Sequence, residues 1–418
     1  MIKVSSHFLK SVAATILLPL LTFPALSADV TLAQVLESAY VQHPSVLQAR
    51  NQAQAAGFEV EATRWSRYPS LSTELRSDTG YTQSVAKLEQ PVWTAGKIPA
   101  RIALSESNQR AAQAGIQEAE LTALSQAANA FYEVLRLQDR LKSSDDNVAE
   151  HQRLLALIER RALAEVTPPA DATLAQARLQ QAVSERIQIK RQLETAQVNL
   201  VQWAGPVQGD LRSPKTIHFN RPASLVQLQD QVLAQSGQRK RLAAQIESAE
   251  AQIKVSQTQI YPSLVAGYQQ SWGGQVPAST DRGQAYLSLQ FQSGAGLSAL
   301  SGVQAAVSRK AATQQELETL DRQLTSQAAS TLTELDAQQA QVGPTQALLA
   351  GTAEIVESYL RQYQVGRKNW LDVLNAQREK TQALFSLADA RFGLQLAQIR
   401  LMILTGDITS RPLNAVHD

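Results

Sequence analysis

The sequence predicts a mainly α-helical chain with a small β part, built as two tandem structural repeats. Three observations carry this. Apolar residues recur at spacings of three and four over long stretches, as in Leu317, Leu320, Leu324, Ala328, Leu332 and Leu335, one stripe on a helix. Landmarks repeat at one offset: Thr31 and Ser224, Leu32 and Leu225, Tyr68 and Tyr261 are each 193 residues apart. After each Tyr-Pro-Ser-Leu (68–71 and 261–264) the apolar period changes to two, the mark of a strand with one oily and one wet face. Only 18% of the 418 residues are charged and 5% aromatic, which suits long, closely packed helices better than a compact enzyme core.

Taken in order, residues 1–28 read as a secretory signal: Lys3 and Lys10 precede a short apolar run, 12–21, and Ala25 and Ser27 are small residues for cleavage. Pro19 and Pro24 and the shortness of the run argue against a membrane anchor. The first repeat is expected over 29–205. It opens at a capping box, Thr31-Leu-Ala-Gln34, on a helix of about 35 residues. A hairpin follows at about 70–91, then a helix of about 60 residues from Pro99 to Arg161, about 90 Å long at ~1.5 Å per residue. A tip at about 161–171 leads to a return helix, Asp171 to Trp203. Residues 206–223 read as a linker, and 224–405 as the second repeat, opening at Ser224-Leu-Val-Gln227. Its hairpin is expected at about 263–292, with Ala285, Leu287, Leu289 and Phe291 on the oily face. Its long helix runs 301–363, with a kink or break at Gly343-Pro344. The tip at about 363–372 turns at Gly366, and Asn369 or Asp372 can cap the return helix. The tail, 406–418, is expected to fray. Each repeat is thus a long helix paired with two shorter ones plus a β-hairpin.

Several functions are disfavoured. A formal charge of +2, with no basic run interleaved with aromatics, gives no nucleic-acid signal. The absence of cysteine removes disulfides, thiolate metal sites and a lipid-modified N-terminal Cys. His7, His43, His151, His218 and His417 fall in different elements, and no nucleophile, phosphate-loop or metal motif stands in a suitable context. No catalytic, cofactor or metal site is expected. Four amphipathic strands cannot close on themselves, whereas a barrel without an edge in lipid needs at least eight. Symmetric pooling of strands from several chains solves this and predicts an exported oligomeric β-barrel with a long helical extension.

The tip Tyr363-Gln-Val-Gly-Arg-Lys-Asn-Trp-Leu-Asp-Val-Leu-Asn-Ala-Gln377, the paired Tyr-Pro-Ser-Leu, Leu88-Glu-Gln-Pro-Val-Trp93 before Gly96, and the duplication together resemble the TolC family of outer-membrane channel proteins, over essentially the whole mature chain. The resemblance implies a homotrimer in outer-membrane lipid, with a twelve-stranded barrel and a periplasmic α-helical tunnel. It also implies docking through a periplasmic adaptor to an inner-membrane ABC transporter or proton-driven pump. By position in the motif, the gate falls on Asp171 and Tyr363. The family's Arg falls on Lys368, beside Arg367, a departure because Lys cannot make the planar two-pronged contact of Arg. The acidic constriction falls on Asp372, with Asn375 where a second acid would stand, so the entrance carries about half the usual charge. Val365, Gly366, Pro168 and Pro169 form the tips that meet the adaptor. Read alone, Asp171 can equally cap a helix, Asp372 can serve a helix dipole, and Tyr363 can be packing. Trp93, Tyr268 and Trp272 suit an interfacial aromatic girdle, with packing at the barrel-to-helix junction the other reading of Trp93. Many efflux-dedicated relatives carry a lipidated Cys, so its absence favours a type I secretion duct for protein such as an adhesin or toxin. Small-molecule efflux is the alternative, and a structural periplasmic coiled coil a distant one.

Overall fold

The computed structural model describes residues 29–78, 81–206, 209–214, 216–217, 219–273, 282–291, 298–408 and 416–417. The signal segment and the hairpin turns at 79–80 and 274–281 lie outside the described residues. A short strand β1 (Val30–Thr31) leads into α1 (Leu32–Gln42) and α2 (Pro44–Trp65); β2 (Ser70–Asp78) and β3 (Tyr81–Trp93) form the first hairpin; α3 (Lys97–Leu163) and α4 (Pro169–Ala204) complete the repeat. The connection holds β4 (Leu211–Arg212) and β5 (Thr216–Ile217). The second repeat follows as α5 (Leu225–Gln235), α6 (Gly237–Thr258), β6 (Ser263–Gly273), β7 (Arg282–Gln290), α7 (Ser298–Gln364) and α8 (Trp370–Thr405), and β8 (Val416–His417) ends the described chain.

The duplication extends to element lengths. α1 and α5 have 11 residues each, α2 and α6 have 22, α3 and α7 have 67, and α4 and α8 have 36. At ~1.5 Å per residue the two long helices reach about 100 Å. The expected opening helix of about 35 residues is in fact two. Pro44 lacks an N–H and pushes the residue before it out of the α region, so His43 sits at ψ 133° and both ends α1 and caps α2. Its Nδ1 accepts from Ser45 N at 3.2 Å, and its ring stacks on Trp203 at 4.6 Å. The second repeat breaks at Ser236, whose side chain accepts from Arg239 N. The Thr31 capping box is present. At Ser224 only half of it is, because the Gln227 carbonyl accepts from Ala223 N instead.

The expected interruption at Gly343-Pro344 is not a break, and α7 runs through it as one helix. Pro344 removes one donor, and the next hydroxyl, Thr345 Oγ1, donates to the carbonyls of Gln341 and Val342. Pairing with α8 holds the helix on both sides. Most of the tail, 409–415 and 418, lies outside the described residues; β8 pairs antiparallel with β5, and β1 pairs parallel with β4. These small sheets tie the linker to residues 30–31 and 416–417.

The first third of α3 lies between α2 and α6, held by Arg50–Glu120 (3.0 Å) and Arg64–Glu106 (2.7 Å) on one side and Arg110–Glu247 (2.9 Å) and Arg241–Glu118 on the other. Its remainder runs against α4 and α8. The largest core lies where these regimes meet: Leu32, Leu36, Val46, Leu124, Phe131, Tyr132, Leu137, Leu200, Ile399 and Met402 are buried together. Close helix approach is literal at Gly237, where a Cβ would stand 2.5 Å from the backbone nitrogen of Glu118. Among the described residues no helix is long and apolar enough to cross a membrane.

The two hairpins join through β3 and β6 into one antiparallel sheet, ordered β2-β3-β6-β7. Register sets the faces. Leu71, Leu88, Tyr268 and Ala285 are directly opposed across the four strands, one residue along from Ser70, Glu89, Gly267 and Tyr286. The first face is oily and open: Leu71, Leu75, Leu287 and Leu289 are each between 65% and 72% exposed. On the other face Tyr286 lies over Gly267 and donates to Glu89 Oε1 at 2.6 Å, bridging three strands.

Candidate functional site

The site is the pair of tips where α3 turns into α4 and α7 into α8. Both turns use one backbone device. At the second, Gly366 is left-handed (φ 78°), its N–H reaches the Tyr363 carbonyl at 3.1 Å, and the Arg367 N–H reaches the Gln362 carbonyl at 2.8 Å. At the first, Glu165 takes the left-handed position (φ 55°), with Glu165 N on the Ala162 carbonyl and Val166 N on the Arg161 carbonyl, both at 3.0 Å. Glu165 and Gly366 are 201 residues apart, as are Asp171 and Asp372. The two aspartates therefore occupy the same place, the first turn of a return helix. Neither is the cap residue: Pro168 and Asn369 are. Each aspartate's N–H instead bonds the cap carbonyl, at 3.1 and 3.2 Å. Negative charge there is favoured by the helix dipole.

Between the turns sits a small core of Leu154, Ile158, Ala175, Tyr363, Trp370, Val373 and Leu374. Tyr363 and Trp370 meet with ring centroids 5.1 Å apart. The Arg161 guanidinium lies 4.9 Å over the Tyr363 ring, and its Nη1 reaches the Gln364 carbonyl at 3.4 Å. The Tyr363 hydroxyl is buried without a hydrogen-bond partner, with Thr167 and Arg161 leaning towards it short of bonding geometry. Burial raises its pKa above the ordinary tyrosine value; Arg161 opposes this and Asp171 adds to it. The structure thus brings Asp171 and Tyr363 within electrostatic reach, with Arg161 beside them.

The other expected gate residues are placed differently. Lys368, in the turn, lies 3.6 Å from Asp372 Oδ2 of α8, with Nζ 4.3 Å over the Tyr359 ring of α7. Arg367 is exposed. Asn375 is half-buried one turn beyond Asp372. Val365 is exposed, as are Pro168 and Pro169 and the apolar Leu163 and Val166 of the first tip. Arg161, Thr167 and Trp370 escaped the sequence reading. The one available signal was Arg161 as a cation in the last turn of a helix. Its contact with Tyr363 spans two repeats and leaves no periodic trace.

At the far end of the molecule Trp93, Tyr268 and Trp272 are all about half exposed. Trp93 pairs with Leu264 at the helix end of the sheet, and Trp272 with Ser84 near its other end. The eight-residue step from Leu264 to Trp272 is about 26 Å of strand at ~3.3 Å per residue.

The sequence profile of the family described as outer membrane efflux protein matches residues 35–206 and 228–407, one stretch in each repeat. No curated protein matches the chain. Among solved structures it is similar to the VceC outer membrane protein of Vibrio cholerae (18% identity, 90% of this chain and 96% of that one, TM-score 0.72). It is also similar to the CmeC outer membrane channel of Campylobacter jejuni (12%, 90% and 85%, 0.76) and to the open state of the MtrE outer membrane channel of Neisseria gonorrhoeae (14%, 90% and 88%, 0.70). At such identities these likenesses speak for the fold. The profile match spans most of the chain, and the chain belongs to the outer membrane efflux protein family, the TolC-like channels that sit in the outer membrane and extend into the periplasm.

Proposed function

We propose that three copies of the chain form the outer-membrane exit duct of an efflux assembly, passing small molecules outward from an inner-membrane pump and its periplasmic adaptor. The sheet carries the reading. Its outer strands, β2 and β7, have no further neighbour among the described residues, and its oily face is open. Both are liabilities in water and are resolved when β7 of one copy pairs with β2 of the next around a closed ring in lipid. Twelve strands then surround a lumen lined by Glu89, Tyr286, Lys87 and Gln284, with Trp93, Tyr268 and Trp272 as interfacial aromatics. The long helices continue as a tunnel, and the tips at its end act as the gate. In that gate Asp171, Tyr363 and Arg161 hold the closed form, with Arg367 free to reach a neighbour. Asp372 and Asn375 line the constriction, and Val365, Gly366, Pro168 and Pro169 meet the adaptor. Lys368 already neutralises part of the Asp372 charge, which weakens cation binding there further.

Protein secretion is the weaker reading. It rests on the missing lipidatable cysteine alone, whereas the family's description favours efflux. The barrel is tested by comparing Leu287→Arg with Ser288→Arg, neighbours on opposite faces. Leu287→Arg is expected to cost about 2–4 kcal/mol per chain in lipid and to abolish the trimer mass in detergent. Ser288→Arg, facing the lumen, is expected to leave it intact. Equal tolerance of both would contradict a lipid-facing surface.

A further inference from the structure

The buried stripe of α3 continues towards the tip as Ser144, Asn147, His151, Leu154 and Ile158, the alternating three-and-four spacing of a coiled-coil seam. Above it the buried positions are apolar (Ala128, Phe131, Leu135), and below it Leu154 and Ile158 are apolar again. Three consecutive seam positions between them are polar, although each is at most 6% exposed. Asn147 bonds across to α8, the contact that joins the two repeats, and Leu154 and Ile158 of the same stripe cluster with Val373 and Leu374 of α8. Asn147 Oδ1 accepts from Gln377 Nε2 at 3.1 Å and from Thr381 Oγ1 at 2.8 Å. Ser144 Oγ, His151 Nδ1 and Gln377 Oε1 are buried with no partner. A polar layer so partly satisfied holds less well than the apolar residues on either side of it.

We propose that this layer is the breakpoint at which the tip hairpins of the two repeats part, and that protonation of His151 drives the parting. The charged groups bearing on the imidazole are Glu150 of its own helix and Arg178 of α4. Glu150 is already engaged by Arg153 at 2.6 Å. From α8, Gln377 and Thr381 meet Asn147 with an amide and a hydroxyl, neither of them charged. An imidazolium formed here is therefore desolvated and repelled by Arg178. Burial, aided by Arg178 and opposed by Glu150, lowers the His151 pKa from its ordinary value. Above about pH 6.5 the ring is neutral in both states and the seam keeps its full strength. As pH falls from there towards the lowered value, the parted form takes up the proton more readily. Parting is then favoured by up to about tenfold per pH unit for each chain.

The link from parting to flow rests on the proposed gate at the tips, so the test reads the seam separately. The chain has no cysteine, so spin labels at Leu163→Cys and Val365→Cys, exposed on the two tips, are unique to those sites. In the full-length protein in detergent, acidification from about pH 7.5 to about pH 5.5, across the ordinary histidine value, is expected to lengthen and broaden the label separation. Bilayer conductance should rise severalfold over the same range. His151→Gln, and His151→Leu as a second variant that extends the apolar seam, are expected to abolish both responses. A separation that ignores pH, that tightens in acid, or that responds equally in both variants overturns the proposal. A separation that responds while no current flows at any pH leaves the proposal standing and removes the duct.

Discussion

At the scale of single residues, the tip shows how chemistry and helix geometry share a position. Asp171 and Asp372 both sit in the first turn of a return helix, where charge favours the dipole whatever else it does. Their surroundings differ. Asp372 is tied to Lys368, whereas Asp171 bears on the buried Tyr363 hydroxyl through a cluster that also holds Arg161. Arg161 is the residue whose removal reads out that cluster. Arg161→Ala loses the ring contact and the bond to the Gln364 carbonyl, and is expected to loosen the second tip by about 1 kcal/mol. Hydrogen exchange at the Gly366 and Arg367 amides should then be about fivefold faster, with the amides of the central core unchanged. Unchanged exchange at the tip would show that Arg161 holds nothing there. The motif pointed to Asp171 and Tyr363, because both lie within recognisable stretches. It could not point to Arg161, whose partner is two hundred residues away.

At the scale of elements, the two repeats match helix for helix, yet their glycines have opposite consequences. Gly237 opens α6 with its backbone pressed on α3, and a Cβ would strike the Glu118 backbone. Gly351 lies in α7 with nothing within 4 Å of a Cβ position. Gly237→Ala is therefore expected to destabilise by about 1–3 kcal/mol through overpacking, and Gly351→Ala to stabilise by about 0.5–1 kcal/mol through helix propensity. Thermal unfolding should show shifts of opposite sign, and shifts of the same sign would contradict the close approach of α6 and α3. Element type and order were legible from periodicity and from the repeated landmarks. The breaks were less so. Pro44 announces the first, but Ser236 is an ordinary residue at the second, where the backbone turns because the helix continues on a different neighbour. Pro344 signals a break that does not occur: one missing donor in 67 residues is outweighed by the pairing of α7 with α8.

At the scale of the whole molecule, one chain leaves edges and apolar surface uncovered. A four-stranded sheet with open edges and an exposed oily face stands at one end of helices about 100 Å long, and apolar tips stand at the other. The expectation of further copies came from the strand count alone, since four strands close nothing. The tie of the linker to the chain's last strand was not legible, because two-residue strands carry no period. The central claim is a gated duct, and single-channel conductance of the detergent-purified protein in a planar bilayer tests it most directly, with wild type beside Asp171→Ala and Asp372→Ala. A gated duct gives a small wild-type conductance that rises about tenfold or more in Asp171→Ala, the equivalent of about 1.4 kcal/mol or more taken from the closed state. Asp372→Ala should change cation preference with little change in conductance. Silence in all three, from a protein that stays soluble without detergent, would contradict the duct and leave a structural coiled coil.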